Sequence, residues 1–545
     1  MLTRRRFLTL LTLLPLGACT RSETAAKPAA GDGGPAYGDT LVEASIGDIS
    51  GLIPNITSDA ASQEVGGFIY SNLIRTDKDL RLEGELAESW EISPDQLTIT
   101  FRLRRGVKWQ DGQEVTARDV DFTYRYMVDP KTPTAYGESF RQIQHGEIVD
   151  PYTYRVSYGR PYSPALVNWG IWILPSHILE PAWKAGVDLR ITQQNRRPIG
   201  SGPYLFREWQ AGEKIVLEAN PSYWEGRPYL NRVVYRIIPD QSTIFLELKA
   251  RNIDLASLSP IQYRRQTDYP AFSKAFNRYR YLSNSFDYLG FNLLDPRFQD
   301  RRFRQAMAYA IDKQEIIDGV RLGLGQQALG PYKPGTWWYK PDVKTYPFDP
   351  DRAKTLLAEL GWTRMNSDGV LVKDGKPFSF TIMTNQGNSV RQQTAEIIQR
   401  RLKAVGIDVK IQVVDWAAFI NTFIRKRQFE AIILGWGLGL DPDQYDIWTS
   451  TQTGPDQLNH ISYKNPKVDE LLEAGRRTFD EAQRKEIYWE FQDIMAEEQP
   501  VVFLYVPDNL PVVSSRVRGI QPAPAGISYN FIKWYVPANL QRYTR

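Results

Sequence analysis

One cysteine, Cys19, stands among the 545 residues of this chain, so no intramolecular disulfide can form and the fold must rest on core packing. Cys19 closes a distinctive leader. Residues 1–18 carry Arg4, Arg5 and Arg6, then an apolar run from Phe7 to Leu16, then small residues. That is the layout of an export signal. The run falls well short of the roughly 20 apolar residues needed to cross a bilayer, and no longer run follows. Residues 19–38 are rich in Ala, Gly, Pro and Ser and lack apolar periodicity, which reads as a flexible tether with a reach on the order of 25 Å.

Leu16-Gly17-Ala18-Cys19 resembles a bacterial lipobox, in which the cysteine thiol is acylated and becomes the mature N-terminus. Cys19 is therefore the candidate lipidation site, the alternative being a lone free or buried thiol. Thr3-Arg4-Arg5-Arg6-Phe7-Leu8 also resembles a twin-arginine signal, but an ordinary leader begins with arginines too, and both export routes stay open. The expected location is exported, periplasmic or cell-surface, and membrane-anchored. Net charge is +4, three of it in the leader, so the body lacks the basic surplus of a nucleic-acid binder. His145, His177 and His460 lie far apart with no HExxH and no CxxC, which argues against zinc or thiol chemistry.

The body exceeds the roughly 250–300 residues that one core can organise, so two or three units are expected. Leu97, Ile99, Phe101 and Leu103 alternate with polar residues, the period of a half-buried strand, and Asp111-Gly112 supplies a turn. Thr116 and Asp119 form a capping-box signature before Val120, Tyr124 and Met127 on one helix face. Asp349-Pro350 starts another helix through Leu356, Leu357 and Leu360 to Gly361. A helix with Ile398, Leu402 and Val405 ends at Gly406, and Val409, Ile411 and Val413 continue with strand spacing. Phe429–Leu434 reads as a strand buried on both faces, and Ile487, Phe491 and Ile494 mark a helix that stops before Pro500. The class is α/β with mixed sheets.

Catalytic motifs are weak. Gly323-Leu324-Gly325-Gln326-Gln327-Ala328 fits GxGxxA, but it follows a helical pattern and precedes none. Pro198-Ile199-Gly200-Ser201-Gly202-Pro203-Tyr204 lacks GxSxG spacing and reads as a turn. With 63 acidic residues, carboxylate pairs for hydrolysis stay open on sequence alone. Aromatics make up 12% of the chain, either as ordinary core or as the walls of a site for varied ligands.

A series of landmarks carries a family resemblance: the stretch from Gly67 to Tyr124, PIGSGPY from Pro198, NPSYW from Asn220, YLGFNL from Tyr288, RQAMAYAIDKQEII from Arg304, LGWGLGLDPDQYDIW from Leu434 and ISYKNPKVDELLEAGR from Ile461. Their order resembles the family 5 solute-binding proteins of bacterial ABC importers, which include dipeptide-, oligopeptide- and nickel-binding members. The resemblance runs from about Asp39 to the C-terminus. It implies a two-lobed periplasmic-binding-protein fold (type II, cluster C-like) with an extra subdomain in the first lobe. Lobe 1 would take residues 39–73, 197–285 and 504–545, with the subdomain at 74–196, and lobe 2 would take 290–503. Phe286–Asn292 and Phe503–Pro507 are the implied hinges.

The same resemblance implies a monomer that encloses a peptide between its lobes and delivers it to ABC permease subunits, with no cofactor and no catalytic residue. An oligosaccharide or a nickel complex is the alternative cargo, and a lipid-anchored hydrolase the alternative class. Trp436 matches the family tryptophan expected over the ligand, or else it is a core residue. Gly437, Leu438 and Gly439 follow, and Gly439 stands where dipeptide and oligopeptide binders carry the aspartate that meets the ligand's ammonium group. Asp441 is then either the replacement or a cap, with Asp443, for the next helix. Asn292, Asn459 and Tyr463 are expected at the cleft edge or hinge.

Overall fold

The computed structural model describes residues 33–543; Cys19, the leader and most of the tether lie outside them. Two large mixed sheets form the frame. The first runs Phe276–Arg278, Pro511–Ser514, Leu255–Ser257, Gly38–Ser45, Leu230–Ile237, Lys214–Ala219 and Tyr204–Gln210. Alternation along its strands sends Leu41 and Val513 into one core layer and Val42 and Val512 into another, so both faces are covered. The second sheet runs Tyr281–Leu282, Val501–Asn509, Ser285–Phe291, Ala431–Gly437, Ser379–Asn385 and Asp408–Val414. It has its own core, around Phe291, Phe303, Ile433 and Phe491. The fold is thus the expected two-lobed α/β architecture with mixed sheets.

A four-stranded antiparallel sheet, Ala87–Ile92, Thr98–Leu103, Thr153–Tyr158 and Ile143–Asp150, stands apart with a third core. Ile99, Phe101 and Leu103 are buried there, as their spacing predicts. Helix Ala117–Val128 follows, and its Asp119 carboxylate accepts from the Thr116 N–H at 2.9 Å. The same carboxylate accepts from the Ser176 N–H at 2.9 Å, so one buried aspartate anchors the starts of two helices.

Local signals translate directly elsewhere. Asp349 accepts from the Arg352 N–H at 2.8 Å at the head of helix Pro350–Glu359. Helix Ser389–Lys403 turns through Gly406 at φ +86° into strand Asp408–Val414. That strand is the edge of its sheet, so Val409 is buried, Ile411 half-buried and Val413 exposed. In helix Glu481–Glu498 the buried stripe is Arg484, Tyr488, Phe491 and Met495, while Ile487 and Ile494 sit only half-buried beside it. Gly200 belongs to a close-approach turn: a Cβ there would lie 1.9 Å from the Ile69 carbonyl oxygen.

The chain crosses between the two large sheets at positions that differ from the expected hinges. Phe286–Asn292 and Phe503–Pro507 lie mostly inside strands of the second sheet. The crossings fall at Tyr279–Arg280 and at Leu510, where one strand ladder ends and the next begins. They run side by side: Arg278 pairs with Val512, Tyr281 pairs with Asn509, and the Tyr279 N–H donates to the Pro511 carbonyl at 2.9 Å. Long strands that continue past the sheet boundary shift the crossing by several residues, which local periodicity does not register.

Candidate functional site

Two adjoining cavities, of about 400 and 320 Å³, lie between the lobes and share Gln63 and Tyr136 on their walls. One wall is the head of helix Ala60–Ile69, where Asp59 accepts from the Ser62 N–H at 2.9 Å. The opposite wall is where strand Ala431–Gly437 leaves its sheet. Ala431 to Leu434 are buried, Gly435 and Trp436 half-buried, and Gly437 exposed. Trp436 thereby leaves the core and borders the larger cavity. Its ring stacks on His460 at 4.9 Å with 16° between planes, and the His460 Nε2 lies 3.3 Å from the Tyr288 hydroxyl. Burial, with Arg427 nearby, pushes the His460 imidazole down to about 3, so it is neutral.

Cationic side chains on this wall are already engaged. Arg391 donates to Asp287 at 2.9 Å and to Asn385 at 3.0 Å, and Arg425 donates to Asp456 at 2.7 Å. Gly435 makes room for Arg391, because a Cβ there would stand 3.0 Å from its Nη2.

The smaller cavity is bounded by Gly439, Leu440, Asp441, Asp443 and Asp446 on one side and by Tyr136, Phe140 and Trp172 on the other. Asp441 is not a free carboxylate. Its oxygens accept from Arg484 Nη1 at 3.0 Å and Nη2 at 2.8 Å, and one also accepts from the Asp443 N–H at 2.9 Å. Asp441, expected either to meet a ligand's amine or to cap the next helix, is thus already engaged by a guanidinium while still bordering the cavity. Asp443 pairs with Arg476 at 2.8 Å and accepts from the Tyr445 N–H at 3.1 Å, while the N-cap position itself is Gln444. Asp446 differs. Its buried Oδ1 accepts no hydrogen bond from the protein, and the nearest guanidinium nitrogen, Arg476 Nη2, is 3.7 Å away. Burial, opposed by Arg476 and reinforced by Asp443, pushes its carboxyl up to about 7.

Of the other residues singled out from sequence, Gly437 borders the larger cavity and Gly439 the smaller. Leu438 ties the loop to the crossing region: its N–H donates to the Asn284 carbonyl at 2.8 Å, and its carbonyl accepts from the Asn284 amide at 2.6 Å. Asn292, Asn459 and Tyr463 border neither cavity. Asn292 donates to the Arg427 and Phe429 carbonyls, at 3.1 and 3.0 Å. Asn459 is fully buried, donating to the Thr449 and Tyr463 carbonyls at 2.9 and 2.8 Å and accepting from the Tyr463 N–H at 3.0 Å. The two asparagines brace loops within one lobe, because a buried amide spends its polar atoms on backbone, and Tyr463 supplies backbone groups to Asn459. Among the described residues no group of three or more His, Cys, Asp or Glu side chains is placed to hold a metal ion.

Sequence reading missed Asp446, His460, Gln63 and Tyr136 as wall residues. Asp446 alone left a trace, as the third carboxylate of the Asp441-Pro442-Asp443-Gln444-Tyr445-Asp446 run. The others reach the cleft through long-range packing that no local pattern encodes.

Comparison with known proteins places the whole chain among relatives of similar length. The chain is 36% identical over 535 residues to the oligopeptide-binding protein AppA of Bacillus subtilis, covering 96% of each. It is 30% identical over 548 residues to heme-binding protein A of Haemophilus influenzae, covering 94% of this chain and 95% of that one. The solved structure of Bacillus subtilis AppA with a nonapeptide superposes with a TM-score of 0.88 at 35% identity, over 92% of this chain and all of that one. NikZ of Campylobacter jejuni with Ni(L-His) gives 0.81 at 29% identity, over 91% and 99%. The family described as bacterial extracellular solute-binding proteins, family 5, matches residues 81–457, and this chain belongs to it.

Proposed function

We propose that the chain is the exported, lipid-anchored receptor of an ABC importer, and that its cargo is a peptide enclosed between the lobe of the first large sheet, with the subdomain 74–196, and the lobe of the second, the boundaries falling at the crossings Tyr279–Arg280 and Leu510. The observation that carries this reading is the pair of joined cavities walled by both lobes, with an aromatic stack at one end and, at the other, the Asp446 carboxyl, whose buried Oδ1 accepts no hydrogen bond from the described residues and lies 3.7 Å from Arg476. An extended peptide fits such a slot because its backbone can bond to the exposed strand end at Gly437 while its side chains meet water or rings. Trp436 then packs against the ligand, and Asp446, in place of Asp441, receives the ammonium group. AppA, named as an oligopeptide binder and solved with a nonapeptide, supports a peptide over the alternatives. Closure around cargo presents the surface that the permease subunits read, and the receptor itself works as a monomer without catalysis.

Native mass spectrometry of the purified protein tests the cargo. Retained or added peptides should appear as one-to-one complexes; a retained oligosaccharide or metal chelate, with no peptide bound from a mixed library, overturns the peptide reading. Cys19→Ser tests the anchor independently, since the variant should be released from membranes in folded form.

A further inference from the structure

Lys313 is 8% exposed, and its ammonium makes no ion pair or hydrogen bond with any described residue. Its stem is buried while the ammonium keeps some contact with solvent, and no described residue offsets the charge. Two lysines further along the chain are paired: Lys340 reaches Asp493 at 2.9 Å and Lys344 reaches Glu497 at 2.6 Å. Lys313 instead borders a cavity of about 260 Å³ in lobe 2, which shares no residue with the two interlobe cavities. Among the described residues that line it, none is acidic. Lys344 also borders it, but with its charge matched by Glu497, the uncompensated positive charge of the cavity is that of Lys313. The remaining wall is largely apolar, from Ala328, Leu329, Pro347 and Phe503, with Gln499 contributing a buried side-chain oxygen that has no donor. Burial holds the Lys313 ammonium down to about 8, so it is still mostly protonated at neutral pH.

A lone cation at one end of a small apolar chamber is complementary to a ligand with one negative group and a short hydrocarbon body. We propose that this cavity is a second binding site, for a small organic carboxylate whose anionic group faces Lys313 and whose alkyl part lies against Leu329 and Phe503. Its position on the flank of lobe 2 leaves the cleft free, so occupancy does not compete with transported cargo.

Isothermal titration of the full chain in detergent with propionate, and separately with its neutral isostere propionamide, tests the assignment. Saturable one-to-one binding of propionate is expected, with binding of propionamide at least tenfold weaker and Lys313→Gln weakening propionate by at least tenfold. Propionate should bind equally well when the cleft is saturated with peptide. The proposal is overturned by the absence of saturable propionate binding, by equal binding of propionamide, or by competition with cleft peptide. Binding of inorganic phosphate as tight as that of propionate also overturns it, since the apolar wall would then be irrelevant. Should Lys313→Gln fail to fold, the propionate and propionamide pair on the unaltered protein still decides.

Discussion

Asp441 and Arg484 form a two-point fork, 2.8 and 3.0 Å, that pins the loop following the cleft strand to the head of helix Glu481–Glu498. Arg484 also donates to the Gly475 carbonyl at 3.0 Å, and its side chain is only 8% exposed. Asp441→Asn would leave that guanidinium buried beside a neutral amide. The expected result is a loss of ~3 kcal/mol in urea-unfolding stability, the scale of breaking a buried pair from one side. Peptide affinity per folded molecule should stay nearly unchanged. A variant of normal stability that no longer binds free peptides would reverse the assignment.

The stack of Trp436 on His460 makes acid stability a readout. His460 ionises near 6.5 in the unfolded chain but is held down to about 3 in the fold. The group therefore contributes stability above its unfolded value, and that contribution is lost as pH falls. Between about pH 7 and 5 the protein should lose ~2 kcal/mol more than a His460→Phe variant, which keeps a ring on Trp436 and cannot take the proton. Equal losses in paired urea titrations would show that the imidazole is free to ionise in the folded state.

Much of the frame was legible in the sequence because it rests on local physics. Period-two burial at Ile99, Phe101 and Leu103, the Asp349 and Asp119 caps and the Gly406 turn each involve residues a few positions apart. The site was legible only where a family landmark marked it. Trp436, Gly437 and Gly439 do border the interlobe cavities. Asn292, Asn459 and Tyr463 do not, because their motif positions reflect loop bracing, and motif position does not distinguish a brace from a ligand contact. The partner of Asp441 was not legible for a related reason: it lies 43 residues along the chain, in a helix whose buried stripe includes an arginine.

Trp436→Ala should weaken peptide binding by ~1–3 kcal/mol, the usual scale for a ring that anchors an interface. Because the side chain is half-buried and at the end of its strand, the ligand-free protein should lose less than that in thermal or urea stability. Affinity per folded molecule unchanged, with a large loss of stability, would make it a core ring.

Among the described residues, polar contacts between the lobes away from the crossings are scattered and mostly single bonds. The Ser163 N–H donates to the Arg476 carbonyl at 2.7 Å, Ser389 donates its hydroxyl to Gln241 at 2.7 Å, and Arg160 meets Glu473 at 3.1 Å. The last pair is exposed enough to contribute ~0–1 kcal/mol. Without cargo these contacts are easily broken, so small-angle scattering should give a larger radius of gyration for the free protein than for the peptide-saturated one. An identical radius in the two states would rule out hinge closure.

Asp446 decides whether the cleft selects free N-termini. An ammonium group taken from water into the cleft loses hydration worth several kcal/mol, which only an unpaired carboxylate or several carbonyls can offset. Asp441 and Asp443 are committed to Arg484 and Arg476, whereas the Asp446 Oδ1 accepts no hydrogen bond and borders the cavity. Its carboxyl, raised to about 7, holds a proton in the empty protein under mildly acidic conditions. The raised value also means that the empty fold is favoured by protonation and loses that advantage as pH rises from the ordinary aspartate range through about 7. Binding an ammonium requires the ionised form and releases that proton. Affinity for a free peptide should therefore rise about tenfold from roughly pH 5.5 to 7, while the peptide amine is still charged. Asp446→Asn should abolish that pH dependence and cost roughly 2–5 kcal/mol for free peptides. An N-acetylated peptide should bind wild type and variant alike. If calorimetry finds free and acetylated peptides equally affected by the substitution, the ammonium group is held elsewhere.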